Sequence, residues 1–279
     1  MAKKASPTSW KLSLTSWSLR ACTLDEAAAI SKAIGINALD LGYFYGPALD
    51  KATLLAEPDK VAERVQKLGI DVPNFYHLFG STLADRNLAD PGQRAQNEAD
   101  LKAVARFCKA AGIPTIFVLP GVCNPGQGRD EALRLSAESL RRLHAITAEA
   151  GVQLTIEPHV HSYTESPAIV LDLLGQVPGL KLTLDYAHFV CLGWRQDEID
   201  VLAPFAAHVH LRQARPGALQ AKVHEGTINF EALLATLRDG GFDGALALEY
   251  VNQDYMNTLY DDVLTETIAL RDKVRAWLA

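Results

Sequence analysis

Short apolar segments alternate with amphipathic helical segments along the whole chain. A strand places successive side chains on opposite faces, whereas a helix repeats its apolar positions every three to four residues. These two periods predict eight strands, with the sequences KLSLTSWSL (11–19), INALDLGYF (36–44), DVPNFYHLF (71–79), PTIFVLPG (114–121), VQLTIEPH (152–159), LKLTLDYAH (180–188), AAHVHLRQ (206–213) and GALALEYV (244–251).

A helical pattern follows each predicted strand. The helices are expected at 23–35, 51–68, 91–112, in a long segment ending near 151, in a segment starting at 166–167, and at 196–202, 230–240 and 259–278. Thr23 and Glu26 have the spacing of a capping box. Ser166 and Pro167 suit the N-cap and first position of a helix.

Eight strand–helix units in one series predict an α/β fold, a (β/α)₈ TIM barrel that forms a single domain over 1–279. An open doubly wound sheet is the rival arrangement. Its nucleotide-binding forms carry a glycine-rich phosphate motif after a strand, and this sequence has neither G-x-G-x-x-G nor a P-loop. The barrel is therefore the preferred prediction.

Four consecutive predicted strands end in a residue type that binds metals, at the mouth where barrel enzymes hold their active sites. In each of these strands the large aliphatic residues alternate with small or polar ones, as in LTLD, where Leu182 and Leu184 oppose Thr183 and Asp185. The aliphatic set suits the helix-facing side, so the other set faces the barrel axis. This parity places four side chains together, those of Glu157, Asp185, His210 and Glu249.

Three carboxylates gathered at one point repel one another unless a cation lies between them. Oxygen-rich ligands with one imidazole favour Mn²⁺ as the first choice, with Mg²⁺ or Co²⁺ as alternatives, over a structural zinc ion. The sequence therefore predicts one divalent metal ion, bound by Glu157, Asp185, His210 and Glu249.

Composition limits the classes of partner. The formal net charge is −6, which disfavours nucleic acid because phosphate backbones need clustered lysine and arginine. No apolar run reaches membrane-span length, and the four cysteines have no C-x-x-C spacing. We expect free thiols, a cytoplasmic enzyme with no leader, and no membrane partner. A homo-oligomer is compatible with the sequence.

The segments TIEPH, LTLDYAH, HVHLRQ and LALEY, in this order, resemble the xylose isomerase-like barrel superfamily. The resemblance covers nearly the whole chain, and its motifs are concentrated after Gly151. It implies the same four metal ligands, a substrate-binding histidine three residues after the aspartate, here His188, and an arginine beyond the metal histidine. Arg212 has the inward parity for that arginine, whereas Arg215 would lie in a loop.

The superfamily also includes apurinic-site endonucleases, which carry extra metal-binding histidines. One of these occurs in an HPG after strand four, where this sequence reads LPG with Leu119. Together with the acidic charge, this difference argues against the endonuclease branch.

The resemblance implies an isomerase or epimerase that acts on a keto sugar or keto-polyol through an enediolate. Glu157 and Glu249 are the expected acid and base, and His188 would polarise the carbonyl. His159, Tyr45 and His77, all near strand ends, are further candidates for contact with a carbohydrate or sugar-acid substrate. The same site also suits a lyase, either a decarboxylase of an oxo sugar acid or a dehydratase, and a non-catalytic sugar-binding protein is the third alternative.

Overall fold

The computed structural model describes residues 10–43, 48–258 and 262–278. Eight parallel strands form a closed barrel in sequence order, and the last strand pairs with the first. This arrangement confirms the predicted TIM barrel. The strands are β1 (Lys11–Thr15), β2 (Leu39–Gly42), β3 (Asn74–Tyr76), β4 (Thr115–Val118), β5 (Gln153–Ile156), β6 (Lys181–Asp185), β7 (Ala206–Leu211) and β8 (Ala245–Leu248).

Helices follow the strands around the barrel. They are α1 (Leu24–Ala33), α2 (Lys51–Ala56), α3 (Pro58–Gln66), α4 (Arg94–Ala111), α5 (Arg129–Ala150), α6 (Pro167–Gln176), α7 (Tyr186–Cys191), α8 (Gln196–Ile199), α9 (Phe230–Asp239) and α10 (Val263–Leu278). Short 3₁₀ helices occur at Ser16–Leu19, Pro91–Gln93 and Asp200–Phe205. None of the described helices is long and apolar enough to cross a lipid bilayer.

Several sequence expectations for these elements were wrong in detail. The sixth predicted strand stops at Asp185, and Tyr186–Cys191 forms α7. The first predicted strand stops at Thr15, and Ser16–Leu19 turns into a 3₁₀ helix. The helix predicted over 51–68 is two helices, because Pro58 lacks an N–H and begins α3 instead of continuing α2. The capping box of Thr23 and Glu26 is present at the start of α1.

The alternation along the strands divides the interior into two regions. Leu182 and Leu184 of β6 are completely buried in the apolar layer between barrel and helices. On the opposite face, the hydroxyl groups of Thr155 and Thr183 lie 2.8 Å apart inside the barrel. The polar face of β5 and β6 therefore points to the barrel axis, as the parity argument requires.

Candidate metal centre and active site

Four buried side chains meet at the carboxyl ends of β5 to β8. Asp185 is the last residue of β6 and pairs in register with His210 of β7. Glu157 and Glu249 each come directly after a strand, and their backbone N–H groups continue the ladder by donating to Val118 and Leu211. Each of the four residues offers a ligand atom, and these atoms all lie within 4.8 Å of one another.

His210 is the centre of this group. Its Nδ1 lies 2.6 Å from Glu157 Oε1 and 3.3 Å from Glu249 Oε2. Trp17 reaches the other oxygen of Glu249, since its indole N–H donates to Oε1 over 2.6 Å. The second oxygen, Glu249 Oε2, is buried and has no hydrogen-bond partner among the described residues.

The pKa values in this group diverge. Burial raises the pKa of Glu157 to about 7, although His210 opposes the shift. Burial also favours a higher pKa for Glu249, but the charges of Arg212 and His210 outweigh it and lower that pKa to about 2. For His210, burial alone would lower the pKa, yet Glu249 and Glu157 raise it well above its usual range. The proton at the contact between His210 and Glu157 is therefore strongly held.

Arg212 supplies the fixed positive charge beside the carboxylates. Its Nη2 lies 2.7 Å from Asp185 Oδ2 and 3.6 Å from Glu249 Oε2. The same nitrogen is 3.0 Å from Nε2 of His188, which is on α7, one turn beyond Asp185. Burial holds the pKa of His188 well below its usual range, so this imidazole is neutral at pH 7.

The residues present suit a divalent cation. Three carboxylates face one guanidinium, and this leaves two negative charges that are not compensated when His210 is neutral. Glu249 Oε2 points into the group and makes no hydrogen bond to another described residue. The donor set of three carboxylates and one imidazole matches the ligands of Mn²⁺, Mg²⁺ or Co²⁺.

A cavity of about 240 Å³ lies over these residues at the barrel mouth. Glu157, Glu249, His159, His188 and Arg212 all line it. The rings of His159 and His188 are 4.1 Å apart, and burial lowers the pKa of His159 to about 4. Much of the remaining wall is apolar or aromatic, formed by Trp17, Tyr76, Leu78, Leu83, Phe117, Leu119, Leu219, Val251 and Tyr255.

Two sequence candidates do not reach this cavity. His77 follows β3 on the helix-facing side, where it bonds to the Tyr43 hydroxyl and packs against Phe79. The predicted substrate role of His77 therefore has no support from its position. Arg215 lies on a surface pocket with Asp262 and Glu266, so Arg212 is the arginine at the site. Tyr45 lies outside the described residues.

Asp40 is a residue of this region that sequence reasoning overlooked. It lies on β2 between Leu39 and Leu41, is completely buried, and points into the barrel below the four-residue group. In LDL, as in LTLD of β6, aliphatic residues alternate with a polar one, and this alternation predicts that the aspartate points inward. Because Asp40 lies within its strand and not at the end, a search for strand-end ligands did not find it.

A family model described as xylose isomerase-like TIM barrel matches residues 28–274 of this sequence. This match spans the strands that carry all four side chains of the proposed centre. The chain belongs to the xylose isomerase-like TIM-barrel family. The resemblance inferred from the strand-end motifs is thereby confirmed.

The relatives of this chain include proteins described as putative hydroxypyruvate isomerases. The human protein is 27% identical over 176 residues, which are 58% of this chain and 62% of that protein. The Streptomyces coelicolor protein is 28% identical over 244 residues, which are 81% of this chain and 84% of that protein. The match therefore covers less than two thirds of the human protein's length.

Solved structures share the fold at low sequence identity. L-ribulose 3-epimerase superimposes with a TM-score of 0.75 at 16% identity, covering 96% of this chain and 94% of that one. The IOLI protein, solved with a zinc atom, has a TM-score of 0.74 at 17% identity and covers 96% and 98%. A xylose isomerase-like protein from Mycobacterium smegmatis, in complex with magnesium, has a TM-score of 0.72 at 14% identity and covers 98% of both chains.

Proposed function

We propose that this protein is a divalent-metal-dependent isomerase or epimerase of a small keto sugar or keto-polyol, acting through an enediolate. One observation carries the proposal: Glu157 and Glu249 line the same cavity from β5 and β8, with Asp185 and His210 beside them. Relatives described as putative hydroxypyruvate isomerases support this class of reaction.

Glu157, Asp185, His210 and Glu249 would hold the metal, with Mn²⁺ as the first choice. A bound divalent cation would supply Lewis acidity, which makes the C–H bond next to a carbonyl more acidic and stabilises the enediolate. The ion pair of Arg212 with Asp185 fixes the orientation of that carboxylate, because both partners are buried.

Glu157 and Glu249 would move the proton. They come from strands separated by β6 and β7, so they approach a substrate in the cavity from different directions. One carboxylate removes the proton at the carbon next to the carbonyl. The other can return a proton to the former carbonyl carbon, while the hydroxyl proton passes to the former carbonyl oxygen, or it can return a proton to the opposite face of the original carbon. The first outcome is isomerisation and the second is epimerisation.

His188, His159 and Arg212 would bind and orient the substrate. His188 is neutral, and its Nε2 accepts from Arg212 over 3.0 Å, so it would orient that guanidinium in the cavity wall. The ring of His159 lies 4.1 Å from the His188 ring, tilted by 42°, and adds a second neutral imidazole to the cavity wall. The aromatic wall of Trp17, Tyr76 and Phe117 provides an apolar surface for the substrate's C–H groups and excludes water.

The direct test is proton exchange with solvent. The Mn²⁺-loaded protein is incubated in D₂O with hydroxypyruvate and a panel of ketoses, and products are followed by NMR and mass spectrometry. We expect deuterium at the carbon next to the carbonyl, together with isomerised or epimerised product. Glu157→Gln should abolish exchange.

The matched control is Glu225→Gln. Glu225 lines the surface pocket of Arg215 and not the cavity of the proposed centre, so this variant should exchange at the wild-type rate. If the wild-type protein, loaded with Mn²⁺, Mg²⁺ or Co²⁺, catalyses deuterium exchange into no member of the panel, the proposed isomerase activity is wrong.

One observation favours a lyase as the second candidate. Arg212 lines the cavity, and its Nε is buried without a hydrogen-bond partner among the described residues. This donor could hold the carboxylate of an oxo sugar acid, whose decarboxylation uses the same stabilisation of an enediolate. Release of CO₂ from a 3-oxo sugar acid, without exchange at a keto sugar, would favour this lyase over the isomerase.

A further inference from the structure

A second group of buried polar atoms lies in the barrel below the proposed metal centre. His208 and His210 share the inward face of β7, and Asp40 reaches towards them from β2. Asp40 Oδ2 is 2.6 Å from Nε2 of His208 and 3.9 Å from Nε2 of His210. All three side chains are buried, and none of these three atoms has a hydrogen bond to another described residue.

The two nitrogens of His210 face different surroundings. Nδ1 points to Glu157 and Glu249 at the proposed centre, whereas Nε2 points down to Asp40. An imidazole that binds a metal through Nδ1 must carry its proton on Nε2. A buried N–H group needs an acceptor, and the carboxylate of Asp40 lies 3.9 Å from Nε2.

Asp40 is itself held in place from two sides. The hydroxyl of Ser13, on β1, donates to its Oδ1 over 2.7 Å. His208 contacts its other oxygen, Oδ2, and so keeps the carboxylate between the two histidines. A shift of about 1 Å by the carboxylate or the His210 ring brings Oδ2 within hydrogen-bond distance of Nε2.

We propose that Asp40 is a positioning residue for the metal ligand His210. By accepting the Nε2 proton, it fixes the tautomer and the ring orientation that present Nδ1 to the metal. Partners of this kind contribute strongly to metal affinity because they orient the ligand and raise its basicity. The inference rests on the metal centre of the proposed function, but it concerns residues that do not line the substrate cavity.

A second metal ion bound by Asp40, His208 and His210 is the competing explanation. Binding that ion would occupy Nε2 of His210, while Nδ1 faces the proposed centre. An imidazole that binds an ion through each nitrogen must lose both ring protons, whereas a neutral imidazole keeps one N–H. This requirement favours an orienting carboxylate, and metal stoichiometry distinguishes the two explanations.

The test compares metal binding by the wild-type chain, Asp40→Asn and Asp40→Ala. Co²⁺ and Mn²⁺ affinities are measured by competition with a chromophoric chelator, and the Co²⁺ visible spectrum reports the ligand geometry. We expect one Co²⁺ per wild-type chain, 10- to 100-fold weaker binding by both variants and an altered spectrum. Thr155→Val is the matched control, because Thr155 is also buried and polar inside the barrel but bonds to Thr183 and Ile116. The Thr155→Val protein should bind Co²⁺ with wild-type affinity.

Each contrary outcome has a separate meaning. Wild-type affinity in Asp40→Asn and Asp40→Ala, with tight Co²⁺ binding by the wild-type chain, overturns this inference and leaves the proposed function intact. Two Co²⁺ per wild-type chain, falling to one in Asp40→Asn, overturns it in favour of a second metal site. No Co²⁺ or Mn²⁺ binding by the wild-type chain overturns it together with the metal dependence of the proposed function.

A measurement on the wild-type chain tests the inference even if the Asp40 variants fail to fold. Histidine-selective ¹⁵N NMR of the Zn²⁺-loaded protein assigns the protonated nitrogen of His210. The inference expects a proton on Nε2 with the downfield shift of a hydrogen bond to a carboxylate. A proton on Nδ1, or an Nε2 proton without that shift, overturns it.

Discussion

Glu157 Oε1 lies 2.6 Å from His210 Nδ1, although the two residues are on β5 and β7, which are separated by β6. The contact crosses the barrel mouth above Asp185, the last residue of the strand between them. It is possible because the barrel brings the ligand atoms of these three residues and Glu249 within 4.8 Å of one another. A divalent ion would compete for this position with the proton that the pair now shares.

Replacing either proposed acid–base group should stop the chemistry without unfolding the chain. We expect Glu157→Gln and Glu249→Gln each to lower kcat by about 10²- to 10⁴-fold, the usual contribution of a general acid or base. Steady-state kinetics measure the loss, and circular dichroism verifies the fold. Activity within tenfold of wild type in both variants would mean that other groups transfer the proton.

Trp17→Phe should weaken catalysis while preserving the aromatic wall. It removes the N–H that donates to Glu249 Oε1, and a hydrogen bond to a charged group is worth about 1.5–3 kcal/mol. We expect kcat/KM to fall about 10- to 100-fold. Trp10→Phe is the control. Trp10 donates to the carbonyl of Phe242, near the amino ends of the strands and away from the proposed centre. A similar loss of kcat/KM in Trp10→Phe would point to general destabilisation.

Removing divalent metal with a chelator should abolish activity and lower the melting temperature. A metal that binds only the folded chain stabilises it by about 2.7 kcal/mol at a free concentration 100 times its Kd. Differential scanning calorimetry with and without Mn²⁺ measures the difference, and adding Mn²⁺ back should restore both properties. An activity that survives chelation would refute the metal dependence.

Arg212→Met should destabilise the chelated protein by about 3–5 kcal/mol, because it leaves Asp185 and Glu249 buried without their cation. Urea denaturation measures the change. Arg215→Met is the matched control on the same loop side of β7: Arg215 is exposed, so its replacement should change stability by less than about 0.5 kcal/mol. Equal effects of the two substitutions would contradict the buried ion pairs of Arg212.

His77→Gln should make stability less sensitive to acid. Burial holds the pKa of His77 well below its usual range, whereas the unfolded chain has a histidine pKa of about 6.5. As the pH falls below about 6.5, the unfolded state binds a proton at His77 that the folded state does not bind. The free energy of unfolding therefore falls by up to about 1.4 kcal/mol per pH unit. Urea denaturation at pH 7 and pH 5 should show a smaller loss for His77→Gln than for wild type.

The same variant tests the position of His77. Because the side chain packs against Tyr43 and Phe79 outside the cavity, KM for any substrate should remain within about twofold of wild type. A KM raised tenfold or more would restore the substrate role that the sequence suggested.

Local periodicity was sufficient for the barrel and for the four side chains at its mouth. Eight alternations of strand and helix, without a glycine-rich phosphate motif, favoured a closed parallel sheet over an open one, and parity along LTIE, LTLD, HVHL and LALE predicted the inward residues. Parity is reliable here because each strand is covered by apolar helices on one side. A one-residue slip would bury Asp185 in the aliphatic layer that holds Leu182 and Leu184.

The sequence was less informative where strands are short or change into turns. β3 has three residues, and its alternation places Asn74 and Tyr76 inward and His77 on the opposite side, so choosing His77 for its place at the strand end assigned it the wrong surroundings. Trp17 was included in the first predicted strand, but the 3₁₀ helix Ser16–Leu19 lets it reach Glu249. The position of Trp17 depends on where β1 stops, and local pattern defines strand ends poorly.

By itself, the sequence determined the fold and the chemical types at the barrel mouth, because strand period and residue type are local properties. Tertiary structure alone decided that Arg212 and not Arg215 lies beside Asp185, that Trp17 donates to Glu249, and that Asp40 lies below His210. These contacts join residues as many as 232 positions apart. The contacts of Trp17 and Asp40 depend on barrel closure, which pairs β1 with β8 and turns Asp40 of β2 towards β7, and no short stretch of sequence records that closure.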